Sequence, residues 1–453
     1  MDVKSMVNRY RGELLARLGK LVAINSEMGA ASEDAPFGEA PKEALLTALD
    51  MMARDGFRTK DVDHYAGYAE MGEGEKLIGI VGHLDIVPAR KEDGWDTDPF
   101  VMTEKDGILY GRGVSDDKGA VVAAMIAMKV IRDMNVPLHK RIRLIMGTNE
   151  ENGSKCLEHY VEKEGSCDYG FTPDGEFPGV HGEKGMVAAV YRSKLTGIRA
   201  IQGGTARNVV CPKCTVTVDK ASFSRKKLED YFNNNDLEFS ITESEKGIDI
   251  TVVGVAAHAS TPELGVNAIS WLFMGLKEAG YQDPFVNFYC SHIGLNTDGE
   301  GLGCKCEDEY GALTLNAGVI GMKDGIVEGS IDIRFPVTFS SRKVIGMMKD
   351  RLSDEGGEVE VLHGVEPLFF PPDSPLVTSL LSAYQEVTGD FETMPMTIGG
   401  GTYAKEIENT IAFGCAFPGK DYRIHNTNEW VPVDELLLQA EIYVRAILKL
   451  LSL

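Results

Sequence analysis

Glu150 and Glu151 stand side by side after the apolar run RIRLIMGTN. Upstream lie His83 and Asp85 in IGIVGHLDIVP and Asp116 in GRGVSDDKGA; downstream lie Asp174 in TPDGEFPG and His425 in YRIHNTNEW. Two imidazoles and three carboxylates can hold two divalent ions and leave one glutamate over as a base. Chemistry of that kind activates water against an amide carbonyl. Each residue alone has an ordinary explanation: a satisfied histidine near a turn, an acidic helix cap, a solvated acidic turn. The order His…Asp…Glu-Glu…Asp…His, with Gly or Pro turns beside each member, is what points to a site.

The spacing assigns provisional tasks. In His83-Leu84-Asp85 the first and third side chains share a face at a strand end, so the Asp85 carboxylate is expected to bond the far ring nitrogen of His83 and fix its tautomer. A carboxylate has two oxygens, so either Asp116 or Asp117 can bridge ions about 3.5–4 Å apart. On an extended backbone Glu150 and Glu151 leave on opposite sides, one toward metal and one toward substrate, where a glutamate can carry the proton to the leaving amine.

Ligands held this way need strand ends. KLIGIVGHLD and RIRLIMGTN read as buried strands, SDDKGAVVAAMIAMKVIRDM and CLEHYVEKEG as helices, with Ser115 or Asp116 as the cap of the former. Leu14, Leu15, Leu18, Leu21 and Val22 recur at helical spacing near the start. This alternation predicts an α/β fold, a sheet with helices on both faces that binds ligands at strand C-terminal ends. After GVHGEKG the texture changes to MVAAVYRS, CTVTVD, IDITVVGVA and GSIDIRFPV with the helix NAISWLFMGLKEAG. The expected organisation is a catalytic domain in two parts, residues 1–186 and 370–453, interrupted by a mixed α/β lid over 187–369.

Composition narrows the partners. With 453 residues and 43% apolar content the chain can build more than one core. A net charge of −23 repels phosphate backbones and anionic lipid, which excludes nucleic-acid and membrane-surface binding. No stretch reaches roughly 18 uncharged apolar residues, and the charged N-terminal segment lacks a signal-peptide core, so a cytoplasmic location is expected. The eight cysteines are scattered. Cys211-Pro-Lys-Cys214 and Cys304-Lys-Cys306 lie too far apart for a small zinc ribbon and read as free thiols in a reducing compartment.

GHLDIVP, GRGVSDDKG, TNEENGS, PDGEFP and HNTNE together resemble the metal-site motifs of the aminoacylase and carboxypeptidase-like di-zinc metallopeptidases, a family that includes succinyl-diaminopimelate desuccinylases and carnosinases. PDGEFPG, GVAAHASTPELGVNA, IDIRFP and GGGTYA are most similar to the PepV-type dipeptidases. The resemblance spans nearly the whole chain and implies a zinc-peptidase-like sheet, two metal ions and a short peptide substrate. It implies one ion on His83, Asp116 and Asp174, the other on Asp116, Glu151 and His425, with Glu150 as general acid/base and Asp85 orienting His83. It further implies a cis peptide after Asp116, His258 steadying the oxyanion, and Asn208, Arg334, Gly400, Gly401 and Thr402 contacting substrate. Zinc fits the ligand types, and manganese or cobalt fit as well. The long lid matches relatives that supply this histidine within one chain, so a monomer is expected. An N-acyl amino acid deacylase or desuccinylase of the same superfamily, or a silent peptide-binding protein, are the alternatives.

Overall fold

A computed structural model describes residues 2–219, 223–245, 247–348, 353–354 and 356–453. The chain forms two compact units: Met1–Gly182 with Phe370–Met396 and Gly401–Leu453, and Glu183–Phe369 with Thr397–Gly400.

In the first unit the sheet runs in the order Arg58–Val62, Ala66–Met71, Arg141–Gly147, Leu77–His83, Tyr169–Thr172, Thr410–Ala412, Val180–Glu183. The middle four strands are mutually parallel and the outer pairings are antiparallel, so the sheet is mixed. Parallel strands are covered on both faces, and their sequences show it. Along Leu77–His83, Ile78 and Ile80 enter one core while Leu77 and Val81 enter another. The larger core takes the apolar faces of helices Arg11–Val22, Glu39–Arg54, Lys118–Met134, Pro375–Thr388 and Val433–Leu451; the smaller takes Lys155–Glu164 through Cys156, Leu157 and Tyr160. Helix Lys118–Met134 is buried almost all round, from Lys118 to Ile131, which is why AVVAAMIAM carries no polar stripe.

The second unit is built on one antiparallel sheet. Its long strands Gly185–Ser193, Ile326–Phe335 and Gly357–Val365 lie adjacent, with the hairpin Glu238–Ser244/Gly247–Val253 at one end. Alternation sends Val187, Ala189 and Tyr191, with Ile331, Ile333 and Phe335, into a core shared with helices Arg225–Asn234, Ala268–Glu278 and Pro284–His292. The opposite side of Ile326–Phe335 carries Asp332 and Arg334 instead.

The segment TIAFGCAFPG contributes only Thr410–Ala412 to the sheet, because the chain turns away at Gly414, where φ is +84°. The hairpin Arg58–Val62/Ala66–Met71, unremarkable in sequence, forms the sheet's edge. All eight cysteines are free, with Cys211, Cys214 and Cys304 buried.

Candidate metal centre

His83 ends its strand, Glu150 and Glu151 follow Gly147, and Asp174 follows Thr172. These three strands are parallel neighbours, so the residues gather at one sheet end. Close packing fixes His83 further: a Cβ on Gly82 would lie 2.6 Å from Asp117 Oδ2 and 2.5 Å from Val121, so only glycine lets the Asp116 segment come this near. Asp117, not Ser115 or Asp116, is the N-cap of helix Lys118–Met134, and it makes no side-chain cap bond. Its Oδ2 accepts the His83 backbone N–H at 2.9 Å instead. The Asp116–Asp117 peptide is cis, as the motif leads one to expect.

Asp116 stands between the two histidines. Its Oδ1 is 3.1 Å from His83 Nε2, and its Oδ2 is 2.9 Å from His425 Nε2. His425 Nε2 is also 3.2 Å from Glu151 Oε1, and His83 Nε2 is 3.8 Å from Asp174 Oδ2. Ligand atoms about 2.0–2.1 Å from a tetrahedral ion lie about 3.3 Å apart, so these separations suit shared metal ligands. His83, Asp116 and Glu151, and separately His83, Glu150 and Asp174, each bring one ligand atom within 4.8 Å of the others.

The electrostatics also call for cations. Burial opposes a charged His83, but the carboxylates of Asp116 and Asp85 outweigh it and raise its pKa. His425 is pushed up to about 11, burial being overcome by Asp116 and Glu151. Burial opposes ionisation of Asp116 too, yet His425 and His83 hold its carboxyl below the usual range. Asp174 rises to about 7 through burial and the charge of Asp116, and burial with Asp174 pushes Glu150 well up. Carboxylates outnumber imidazoles here, and divalent cations would offset that excess of negative charge. The donor set fits such ions.

Asp85 does more than its spacing suggests. Its carboxylate accepts the backbone N–H of Glu150 at 3.0 Å and of Glu151 at 3.1 Å. His83 Nδ1 is 3.0 Å from the Asp85 carbonyl oxygen and 3.5 Å from the carboxylate, so the contact at hydrogen-bond length is with the main chain. Glu150 and Glu151 lie in a turn rather than an extended stretch, so both side chains reach the cluster and do not diverge to opposite sides.

The sequence reading missed Glu429, the last residue of HNTNE. It is fully buried. Its carboxylate accepts from Arg112 Nη1 at 2.7 Å and from the backbone N–H of Gly113, Ser115 and Asp116 at 3.1, 2.8 and 3.1 Å. Arg112 Nη2 reaches the Asn426 carbonyl at 3.2 Å. One carboxylate therefore ties the Asp116 segment to the loop of His425, whose backbone is left-handed at φ 62°. The acidic residue after an Asn was a visible signal, but its partners lie more than 300 positions away. Lys118, buried beside this segment, donates to the Leu21 and Ile24 carbonyls at 2.9 Å each. Glu429→Gln should cost about 3–5 kcal/mol, because it strands a buried Arg112 and sets an amide N–H against donors; a urea midpoint equal to wild type would remove Glu429 from this role.

The second unit gathers its own group. Thr314, opposite Arg334 in register, donates to the Ala259 carbonyl at 3.2 Å, and Asn316, opposite Asp332, donates to the Arg207 and Val209 carbonyls at 3.0 and 3.1 Å. These bonds draw the loops of His258 and Asn208 to the strand of Arg334. The Ser260 N–H donates to His258 Nδ1 at 3.2 Å, and the Ser260 hydroxyl lies 2.7 Å from the same nitrogen. Gly399 packs so closely on Ser260 that its Cβ would lie 2.2 Å from that residue's Cβ. Gly400 belongs to this unit, Gly401 and Thr402 to the first. The Thr402 hydroxyl caps Tyr403–Lys405 at 3.1 Å, and the Tyr403 ring meets His83 edge-on at 6.0 Å.

Residues 79–449 match the model of peptidase family M20/M25/M40. "Putative dipeptidase YtjP" of Bacillus subtilis (strain 168) is 33% identical over 467 residues, covering 99% of this chain and 100% of that protein. A "Putative dipeptidase" of Staphylococcus epidermidis is 34% identical, covering 98% of each. Among solved structures, human carnosine dipeptidase 1 superposes with a TM-score of 0.59 at 19% identity, covering 100% of this chain and 98% of that one. The di-peptidase Dug1p of Saccharomyces cerevisiae gives 0.58 at 16% identity, with coverage of 100% and 98%; at such identities the likeness is one of fold. The chain belongs to peptidase family M20/M25/M40 and is a metallopeptidase. Among the described residues no helix is long and apolar enough to cross a membrane.

Proposed function

We propose that this metallopeptidase is a dipeptidase that cleaves short peptides with both termini free. The observation that carries the reading is Asp116, whose two oxygens face two different histidines while Glu150 sits beside them. The full-length similarity to proteins described as dipeptidases supports the substrate class.

In this reading His83, Asp116 and Asp174 would hold one divalent ion, and Asp116, Glu151 and His425 the other. When bound, such ions lower the pKa of water toward neutrality and polarise the scissile carbonyl. Imidazole and carboxylate donors without thiolate suit zinc, and also manganese or cobalt. Glu150 takes the proton of the attacking water and returns it to the leaving amine. Asp85 holds the main chain of both glutamates, so the base and its neighbouring ligand keep a fixed offset. His258 donates to the oxyanion as the carbonyl carbon becomes tetrahedral. Arg334 receives the C-terminal carboxylate, Asn208 bonds substrate polar atoms, and Gly400, Gly401 and Thr402 let the backbone approach. The long inserted lid supports a monomer, and eight free thiols suit the cytoplasm.

The test is a panel of free dipeptides against N-acetyl and N-succinyl amino acids, with metal-loaded protein and mass-spectrometric readout. The dipeptides should be cleaved and the blocked compounds spared. Preference for the acyl amino acids would replace this reading with a deacylase; no turnover of either class would leave a binding protein.

A further inference from the structure

Asp332 and Arg334 sit two residues apart on the strand Ile326–Phe335, on the face opposite Ile331 and Ile333. Asp332 Oδ1 accepts from Arg334 Nε at 2.6 Å, and its Oδ2 accepts from Nη2 at 2.9 Å. Both side chains are largely withdrawn from solvent, 11% exposed for the arginine and 6% for the aspartate. A guanidinium offers a carboxylate two edges, Nε with Nη2 and Nη1 with Nη2. Asp332 occupies the first with both of its oxygens. Toward the second edge, among the described residues, Nη1 makes only a long contact, 3.4 Å, to the Gly399 carbonyl.

We propose that Asp332 is a positioning residue: by occupying the side edge of Arg334 it fixes where the Nη1/Nη2 edge lies, and so sets the reach at which a substrate carboxylate is accepted. The inference rests on Arg334 being the group that receives that carboxylate. Pairing has a second consequence. An unpaired, nearly buried arginine would take up whatever acceptor lay near, whereas a paired one keeps its plane whether or not substrate is present. The site is thereby selective for a C-terminal α-amino acid over one whose carboxylate is a carbon further from the scissile bond.

The substrates are Ala-Ala, Ala-β-Ala and Ala-Ala amide, and the variants Asp332→Asn, Arg334→Lys and Arg334→Met, all metal-loaded. Asparagine can accept on one guanidinium nitrogen but turns an N–H toward the other. The wild-type preference for Ala-Ala over Ala-β-Ala, as a ratio of kcat/KM, should shrink about tenfold in Asp332→Asn, chiefly through KM, with kcat for Ala-Ala little changed. Arg334→Lys keeps the charge without a two-edged fork and should shrink the ratio similarly, which provides the test if the aspartate variant folds poorly. Removing one negative charge without a positioning effect would instead shift both substrates equally, as would a general loss of structure; either result overturns the proposal. If Arg334→Met leaves the discrimination between Ala-Ala and its amide intact, Arg334 does not receive the carboxylate. The assignment of Arg334 then fails, and the role of Asp332 with it.

Discussion

Glu150→Gln should keep the full metal complement and lose about 10²–10⁴-fold in kcat, the range expected when a general acid–base group is removed. Three observations shape this expectation. The Glu150 main chain is fastened by the Asp85 carboxylate through its own N–H, so an isosteric side chain leaves the turn in place. The Asp116, His425 and Glu151 contacts involve no atom of Glu150. Burial and the charge of Asp174 raise its pKa, which suits a group that must hold a proton taken from water until the leaving amine receives it. A glutamate at 4.8 Å reach of His83 and Asp174 is also near enough to serve as a ligand, and the variant separates the two roles. Metal stoichiometry by elemental analysis, alongside single-turnover hydrolysis of a dipeptide, gives the answer. An ion lost in Glu150→Gln would make Glu150 a ligand, and near-normal kcat would remove it from proton transfer.

Most of the candidate ligands were legible in the sequence because they lie where a buried strand stops. Ile78–Gly82 and Leu144–Gly147 are short uncharged runs of the kind a strand covered on both faces carries, and polar residues that follow such strands fall at one sheet end. The Gly-Arg-Gly approach to a helix marked the pair Asp116-Asp117, and the family resemblance rather than the spacing chose Asp116. The supports of these residues were not. Asp85 sits two places from His83, and spacing suggested a carboxylate–imidazole contact, yet the carboxylate is taken by two N–H groups 65 and 66 residues away. A local pattern gives the face a side chain shares, not the donors that a distant turn brings to it. The same holds for Glu429, whose partners come from Arg112–Asp116, and for Asp332, whose role depends on which guanidinium edge it takes. The placement of Glu150 and Glu151 was misjudged for a simpler reason: the strand ends at Gly147, and a turn does not obey the alternation of an extended chain.

Asp116→Ala is expected to be more damaging than Glu150→Gln. Glu151 is within hydrogen-bonding distance of His425 and within 4.8 Å of His83, whereas Asp116 is within hydrogen-bonding distance of both, at 3.1 Å to His83 and 2.9 Å to His425. Its loss should therefore weaken both ions, while Asp174→Ala or His425→Ala should each weaken one. Isothermal titration of chelator-treated protein distinguishes these cases: two binding events in wild type, one retained in either single-site variant, and none of comparable affinity in Asp116→Ala. Hydrolysis should vanish in Asp116→Ala, since in the proposed reading a pair of ions held there would make water acidic and the carbonyl electrophilic. The backbone is expected to tolerate the change, because the Asp116 N–H remains bonded to Glu429 and its neighbour Asp117 to the His83 N–H. Circular dichroism matching wild type, with both ions gone, would place the defect in the bridge. Two ions bound at wild-type affinity in Asp116→Ala would show that the centre is not organised around this aspartate.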